Sequence, residues 1–294
     1  MNFQEKLIRS AVSNASIACM GLDLVEEAIP ETGSFNEKSL EFLHKVFTEM
    51  NHQGVLPGAF KLNHGFYEIH DRPHEADFEG SLTLAHSIQM IKRQFPETPI
   101  ILDFKRGDIG KSSRNYAIAG LNTWGADAVT VHGYMGTDSV MPFAEISPEK
   151  GVYVLTLTSN PGSEDFQMLG TSYGRLLHGV VASKVLYWAK PHSNVGMVFG
   201  ATHPKDLEIL VDDSSFCSIP LLIPGVGSQE GDLIRIRMAL HNGTYNSSLA
   251  RINSSSGLTH PWKLAEKAPK EYAIEVVKQL NLLNKGIDYK TSLR

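Results

Sequence analysis

Short apolar runs recur along the whole chain, each followed by a polar or glycine-bearing loop and then a stretch whose apolar residues return every three or four positions. Eight runs carry the strand pattern: Ser16–Asp23, Pro57–Leu62, Pro99–Phe104, Asp127–His132, Gly151–Leu157, Asn194–Gly200, Pro220–Pro224 and Leu249–Asn253, the last being the weakest. Helices are predicted between them at Glu37–Met50, Glu79–Gln94, Ser112–Trp124, Tyr173–Ala189 and Gly231–Asn242. Strands that alternate with helices build a parallel sheet covered by those helices. Eight such units predict an α/β chain folded as a (β/α)8 TIM barrel. If the eighth run is rejected, a doubly wound open sheet is the structural alternative.

Length and composition narrow this further. A chain of 294 residues accommodates a single barrel domain, 1–294, with a core at about 16–283 and a polar C-terminal tail, Asn284–Arg294, that is expected to fray. No proline- or serine-rich linker divides it. With 42% hydrophobic and 20% charged residues the composition is that of an ordinary globular protein. A formal charge of −5 and the lack of a dense Lys/Arg run argue against nucleic acid or an anionic membrane as partner. Cys19 and Cys217 lack the spacing of a metal or redox motif and read as small buried side chains. No apolar stretch approaches the roughly 20 residues of a membrane span. The N-terminus, MNFQEKLIRSAVSN, has no signal-peptide core, so a cytoplasmic location is expected.

The chemistry concentrates after the third run, in Asp103-Phe104-Lys105-Arg106-Gly107-Asp108. Alternation along a strand puts Asp103 and Lys105 on one side, at the carboxyl end where barrel active sites form. Asp108 sits in the following loop, which is too short to return it to Lys105 and better suited to reaching a neighbouring subunit. Taken alone, such charges also fit a solvated cluster of weak surface ion pairs. Lys61 stands in an apolar strand, where a lysine is rarely buried without a partner. His132 and His203 have no second ligand at metal spacing and read as hydrogen-bonded strand-end histidines.

The segment DFKRGDIGKSSRNYA resembles the signature of the orotidine 5′-phosphate decarboxylases, in the branch often called type 2. GLD at Gly21–Asp23, FKLNHGFYE at Phe60–Glu68, LTSNPGSEDFQ at Leu157–Gln167, VGMVFGATHP at Val195–Pro204 and IPGVGSQEGD at Ile223–Asp232 match that branch in order, over residues 16 to 260. The resemblance implies a lyase that decarboxylates orotidine 5′-phosphate to uridine 5′-phosphate in pyrimidine (UMP) biosynthesis, with no metal and no cofactor. It implies a homodimer with Asp108 shared across the interface. Lys61 and Asp103 would flank the reacting carboxylate, and Lys105 would stabilise and protonate the carbanion.

Binding roles follow by the same resemblance: Asp23 near the ribose, Ser159 at the pyrimidine amide edge, Ser112 near the intersubunit site, and Gln229 on the 5′-phosphate. Pro224 and Gly225 open the glycine-bearing turn that leads to Gln229, a turn suited to cradling an anion. Asp23 and Ser112 also fit ordinary helix-capping roles, and Thr158–Gly162 fits a plain turn.

The pattern breaks after the eighth strand. Where the family carries a phosphate-clamping arginine, this chain reads Ser254-Ser255-Ser256-Gly257, with Ser256 in the arginine's place. Ser255, Ser256 and the Gly257 amide are then expected to bind the phosphate more weakly, with Arg235, Arg251 or His260 as basic substitutes. Two competing functions stand beside decarboxylation of the nucleotide. One is a magnesium-dependent barrel enzyme acting on a sugar phosphate; the other is a catalytically silent nucleotide-binding protein.

Overall fold

A computed structural model describes residues 1–226, 232–262 and 267–290. Eight parallel strands close on themselves in sequence order: β1 (Ala18–Gly21), β2 (Ala59–Asn63), β3 (Ile100–Arg106), β4 (Ala128–His132), β5 (Gly151–Leu157), β6 (Val195–Phe199), β7 (Leu221–Pro224) and β8 (Ala250–Ser254). Closure is made by β8 pairing with β1, Ala18 facing Ile252 and Met20 facing Ser254. Each of the eight apolar runs is therefore a strand, including the weak eighth, and the open-sheet alternative falls.

The α-helices in chain order are α1 (Phe3–Ser13), α2 (Phe35–Gln53), α3 (Gly65–Glu68), α4 (Glu79–Gln94), α5 (Gly110–Ala117), α6 (Thr137–Ala144), α7 (Leu177–Ala189), α8 (Pro204–Asp212), α9 (Leu233–Asn242), α10 (Ser256–Thr259) and α11 (Tyr272–Ile287). The starts of several follow capping chemistry. Ser34 and Glu37 form a reciprocal capping box ahead of α2, and Asp232 accepts from the Arg235 amide ahead of α9. Glycine at +64° in φ ends α2 at Gly54.

Two predicted helices differ in detail. The stretch Ser112–Trp124 is α5 followed by a wider π turn over Ile118–Thr123. It passes Gly120 so close to β3 and β4 that a Cβ there would lie 2.8 Å from the Phe104 ring. The helix expected from Tyr173 starts only at Leu177, because Gly174 adopts a left-handed φ of +68° and Gly170 bridges to Leu176.

The packed core reaches beyond 16–283 at both ends. Phe3, Leu7 and Ala11 of α1 are fully buried, and the Phe3 ring occupies the space a side chain at Gly151 would need, edge-on to Tyr153. The tail expected to fray from Asn284 is instead helical through Ile287. Leu283 and Ile287 are buried, and the Asn284 amide donates to the Leu56 carbonyl. Polar composition misled there because Asn284 sits on the inner face of α11, beside Ser16.

Among the described residues Arg251 is the largest fully buried side chain. It lies at the end of the barrel opposite the strand carboxyl ends and donates to four carbonyls, those of Gly58 (3.0 Å), Ser248 (3.0 Å), Ala250 (2.7 Å) and Leu7 (2.6 Å). It is part of the barrel floor and so does not serve as a phosphate ligand. No helix among the described residues is long and apolar enough to cross a membrane.

Candidate active site

At the carboxyl ends of the strands the barrel opens into a cavity of about 1190 Å³. Seven of the eight strands contribute at least one lining residue each, among them Lys61, Asp103, Thr130, Leu155, Val198, Leu222 and Asn253. The alternation that aims these inward aims their neighbours outward. Phe60 packs against Phe47 and Phe95 in the helix layer, at 5.4 and 5.2 Å between ring centres, while Lys61 faces the interior.

The centre of the site is a chain of alternating charges. Lys61 Nζ lies 3.0 Å from Asp103 Oδ2 and 3.3 Å from Asp23 Oδ1. Lys105 Nζ lies 2.7 Å from Asp103 Oδ1, which also accepts from the Thr130 hydroxyl at 2.8 Å. Asp23 is held in turn by the Asn63 amide at 3.2 Å, so it acts as an acceptor within the site; the cap of the next helical turn is Val25.

Asp103 and Lys105 do share a side, although a flat strand is not the cause. Leu102 pairs with Val129 and Arg106 with Val131, so β3 carries a bulge opposite β4. Lys105 occupies a left-handed φ of +45°, a conformation that costs a non-glycine residue about 1 kcal/mol or more. The Thr130 hydroxyl holds the bulge by accepting from the Lys105 amide at 3.1 Å. The result lifts Lys105 over Asp103, leaving its side chain 44% exposed to the cavity mouth while Asp103 stays 9% exposed.

Burial alone would raise the Asp103 pKa, but the ammonium groups of Lys61 and Lys105 overcome it and hold the carboxyl well below the usual carboxylate range. Burial likewise favours a neutral Lys61, and Asp103 and Asp23 reverse that, raising its pKa above the usual value. Both groups are charged across the physiological range. Burial pushes the Cys19 thiol up to about 12, against the opposing charge of Lys61, which makes it inert. At the rim, partial burial and Lys105 together lower the pKa of His132.

The remaining expected residues divide. Asp23, Ser159, Pro224, Gly225, Ser255 and Ser256 line the same cavity. Gly200 abuts the backbone of Thr158 and Ser159, so β6 fixes the position of the loop that carries Ser159. Asp108 and Ser112 are not among the lining residues. Asp108 accepts from the next amide, Ile109, and Ser112 is exposed on α5. Gln229 lies outside the described residues. Arg235 is committed to Glu208 at 2.7 Å. His203 reaches Ser163 at 3.3 Å, a hydrogen-bonding role.

Thr130, Asn63, Gln167 and His178 also belong to the site, and the sequence pattern alone assigns them no role. Thr130 had a signal: a hydroxyl inside the apolar run AVTVH, two residues before the strand ends. Gln167 accepts from the Thr158 amide at 2.7 Å and braces the β5 loop, an interaction no local pattern announces.

The family model for orotidine 5′-phosphate decarboxylase / HUMPS matches residues 60–251. A Dehalococcoides mccartyi protein called orotidine 5′-phosphate decarboxylase is 37% identical over 284 residues, covering 95% of this chain and 96% of that protein. A Thermomicrobium roseum protein of the same name is 36% identical over 236 residues, covering 80% of this chain and 79% of its own. Among solved structures, Leishmania donovani OMP decarboxylase superposes with a TM-score of 0.70 at 29% identity, covering 97% of this chain and all of that one.

Proposed function

Since this chain belongs to the orotidine 5′-phosphate decarboxylase / HUMPS family, we propose that the charged cluster at its barrel mouth carries out the family's carboxy-lyase reaction, converting orotidine 5′-phosphate to uridine 5′-phosphate. The observation that carries this reading is the unbroken series Asp23–Lys61–Asp103–Lys105, with every contact at 3.3 Å or less.

Loss of carbon dioxide from C6 of the pyrimidine breaks the C6–carboxylate bond and leaves its electron pair on C6. Lys105 Nζ then gives a proton to that carbon. A unit positive charge about 4 Å from the developing carbanion is worth roughly 4 kcal/mol at an effective dielectric near 20. Asp103 and Thr130 hold the ammonium and its backbone in place beforehand, so that stabilisation requires no reorganisation. A substrate carboxylate set beside Asp103 meets like charge, which is relieved as neutral carbon dioxide departs.

Asp108 serves the neighbouring subunit's site in a cytoplasmic homodimer. Support comes from the exposed apolar face around it. Ile109, Tyr116, Ile118, Tyr134 and Met135 are all at least 39% exposed on the loops and helix after β3 and β4, where a monomer would leave them in water. Ser112, on the same helix, lies at that face.

Carbon dioxide release from orotidine 5′-phosphate by purified protein, with and without EDTA, tests the reading. Release that persists in EDTA is expected. Release abolished by the chelator would contradict a metal-free reaction, and no release in either condition would favour a sugar-phosphate enzyme or a silent binder.

A further inference from the structure

A nucleoside monophosphate brings a dianion to the barrel mouth, and barrel phosphate sites form on the loops after the seventh and eighth strands. In this chain that end of the cavity is lined by Pro224, Gly225, Val226 and Asn253–Ser256, none of which carries charge. The lysines of the cavity are already committed, Lys61 to Asp23 and Asp103 and Lys105 to Asp103. Arg251 is locked into the floor and Arg235 to Glu208. Among the described lining residues of this end, one side chain is able to become a cation, that of His260.

Its placement is built. His260 follows the four-residue helix α10, its amide donates to the Ser256 carbonyl at 3.1 Å, and it lines the cavity together with Ser254, Ser255 and Ser256. Its Nδ1 is held by the Thr259 hydroxyl at 2.9 Å, leaving Nε2 as the other ring nitrogen. We propose that His260 is the cationic contact for the substrate's 5′-phosphate, supplying from beyond α10 the charge that Ser256 does not. The inference rests on the nucleotide reading above.

Burial lowers the proton affinity of His260, with the Asp23 carboxylate after β1 as the charged group facing it and opposing that effect. The ring is therefore mostly neutral near pH 7 in the empty site, and the arriving dianion draws a proton onto it. Phosphate binding and proton uptake are then one event.

The test compares competitive inhibition by uridine 5′-phosphate and by uridine in the parent enzyme, His260→Ala and His260→Asn, all confirmed folded by thermal melting. Removing a charge-assisted hydrogen bond to the phosphate weakens the nucleotide by about 10- to 100-fold, while uridine changes by no more than about twofold. Titration calorimetry at pH 7.5 in buffers of different ionisation enthalpy reads the second signature: proton uptake with the parent enzyme and none with His260→Asn. Equal weakening of both ligands, or no weakening of either, overturns the proposal provided the parent enzyme releases carbon dioxide. Failure of the parent enzyme itself to act on orotidine 5′-phosphate would instead sink the underlying functional reading.

Discussion

Lys105 combines two unusual properties in one residue, a left-handed backbone and an ammonium 2.7 Å from a buried carboxylate. If it is the proton donor, Lys105→Ala should lower kcat by at least about 100- to 10,000-fold, the range expected for loss of a positioned general acid. The melting temperature should barely change, since the side chain is partly exposed. Near-normal turnover in that variant would remove the assigned role. Asp103 makes a different prediction, in stability. Its folded pKa is depressed, so its contribution is complete above the unfolded value of about 3.9 and is lost as pH falls below it. Asp103→Asn leaves Lys61 and Lys105 with one carboxylate fewer and should cost about 3 kcal/mol near neutrality. Denaturation of both proteins across pH should show this gap constant from about pH 5 to 8 and closing below about pH 4. A gap that stays constant down to about pH 3 would contradict the ion-pair account.

At the scale of elements, the site depends on how closely neighbouring strand ends approach. A Cβ on Gly200 would sit 2.8 Å from the Ser159 amide nitrogen, against backbone that has no side chain to move aside. Gly200→Ala should destabilise the fold by about 1–3 kcal/mol and weaken nucleotide binding through displacement of the β5 loop, read by a melt together with KM. An unaltered KM would mean that loop is not a binding element. The elements themselves were largely legible. All eight strands follow from apolar runs, because a strand buried on both faces writes itself into contiguous residues. The bulge at Lys105 was not legible, since it arises from pairing with β4 and a hydroxyl on Thr130, more than 20 residues away. Arg251 shows the same limit. Alternation states which side of β8 it occupies, shared with Asn253, but two residues along a strand are about 6.6 Å of height. That separation divides floor from mouth. Helix α1 went unread because its partners, Gly151 and Tyr153, are distant in sequence.

For the whole molecule, the dimer proposal has a complementation test. Lys105→Ala and Asp108→Ala proteins, each inactive, should regain part of the parent activity when mixed under conditions that exchange subunits, because a hybrid dimer rebuilds one intact site. No recovery despite demonstrated exchange would count against Asp108 acting in its neighbour's site.

The Arg251 floor has a consequence for how the barrel comes into being. Its guanidinium joins the helix that opens the chain, through Leu7, to the start of β2, through Gly58, and to the last strand. Until that strand leaves the ribosome, β1 and β7 each carry an unpaired edge, and two backbone segments, at Leu7 and Gly58, wait for a donor that has not yet been made. Closure is then a contact between residues more than 240 positions apart, the type that folds slowly and exposes sticky edges in the meantime. Arg251→Met should therefore show itself less in the chemistry at the mouth than in yield: poor recovery of soluble protein at 37 °C, improved at low temperature, with normal turnover per folded molecule.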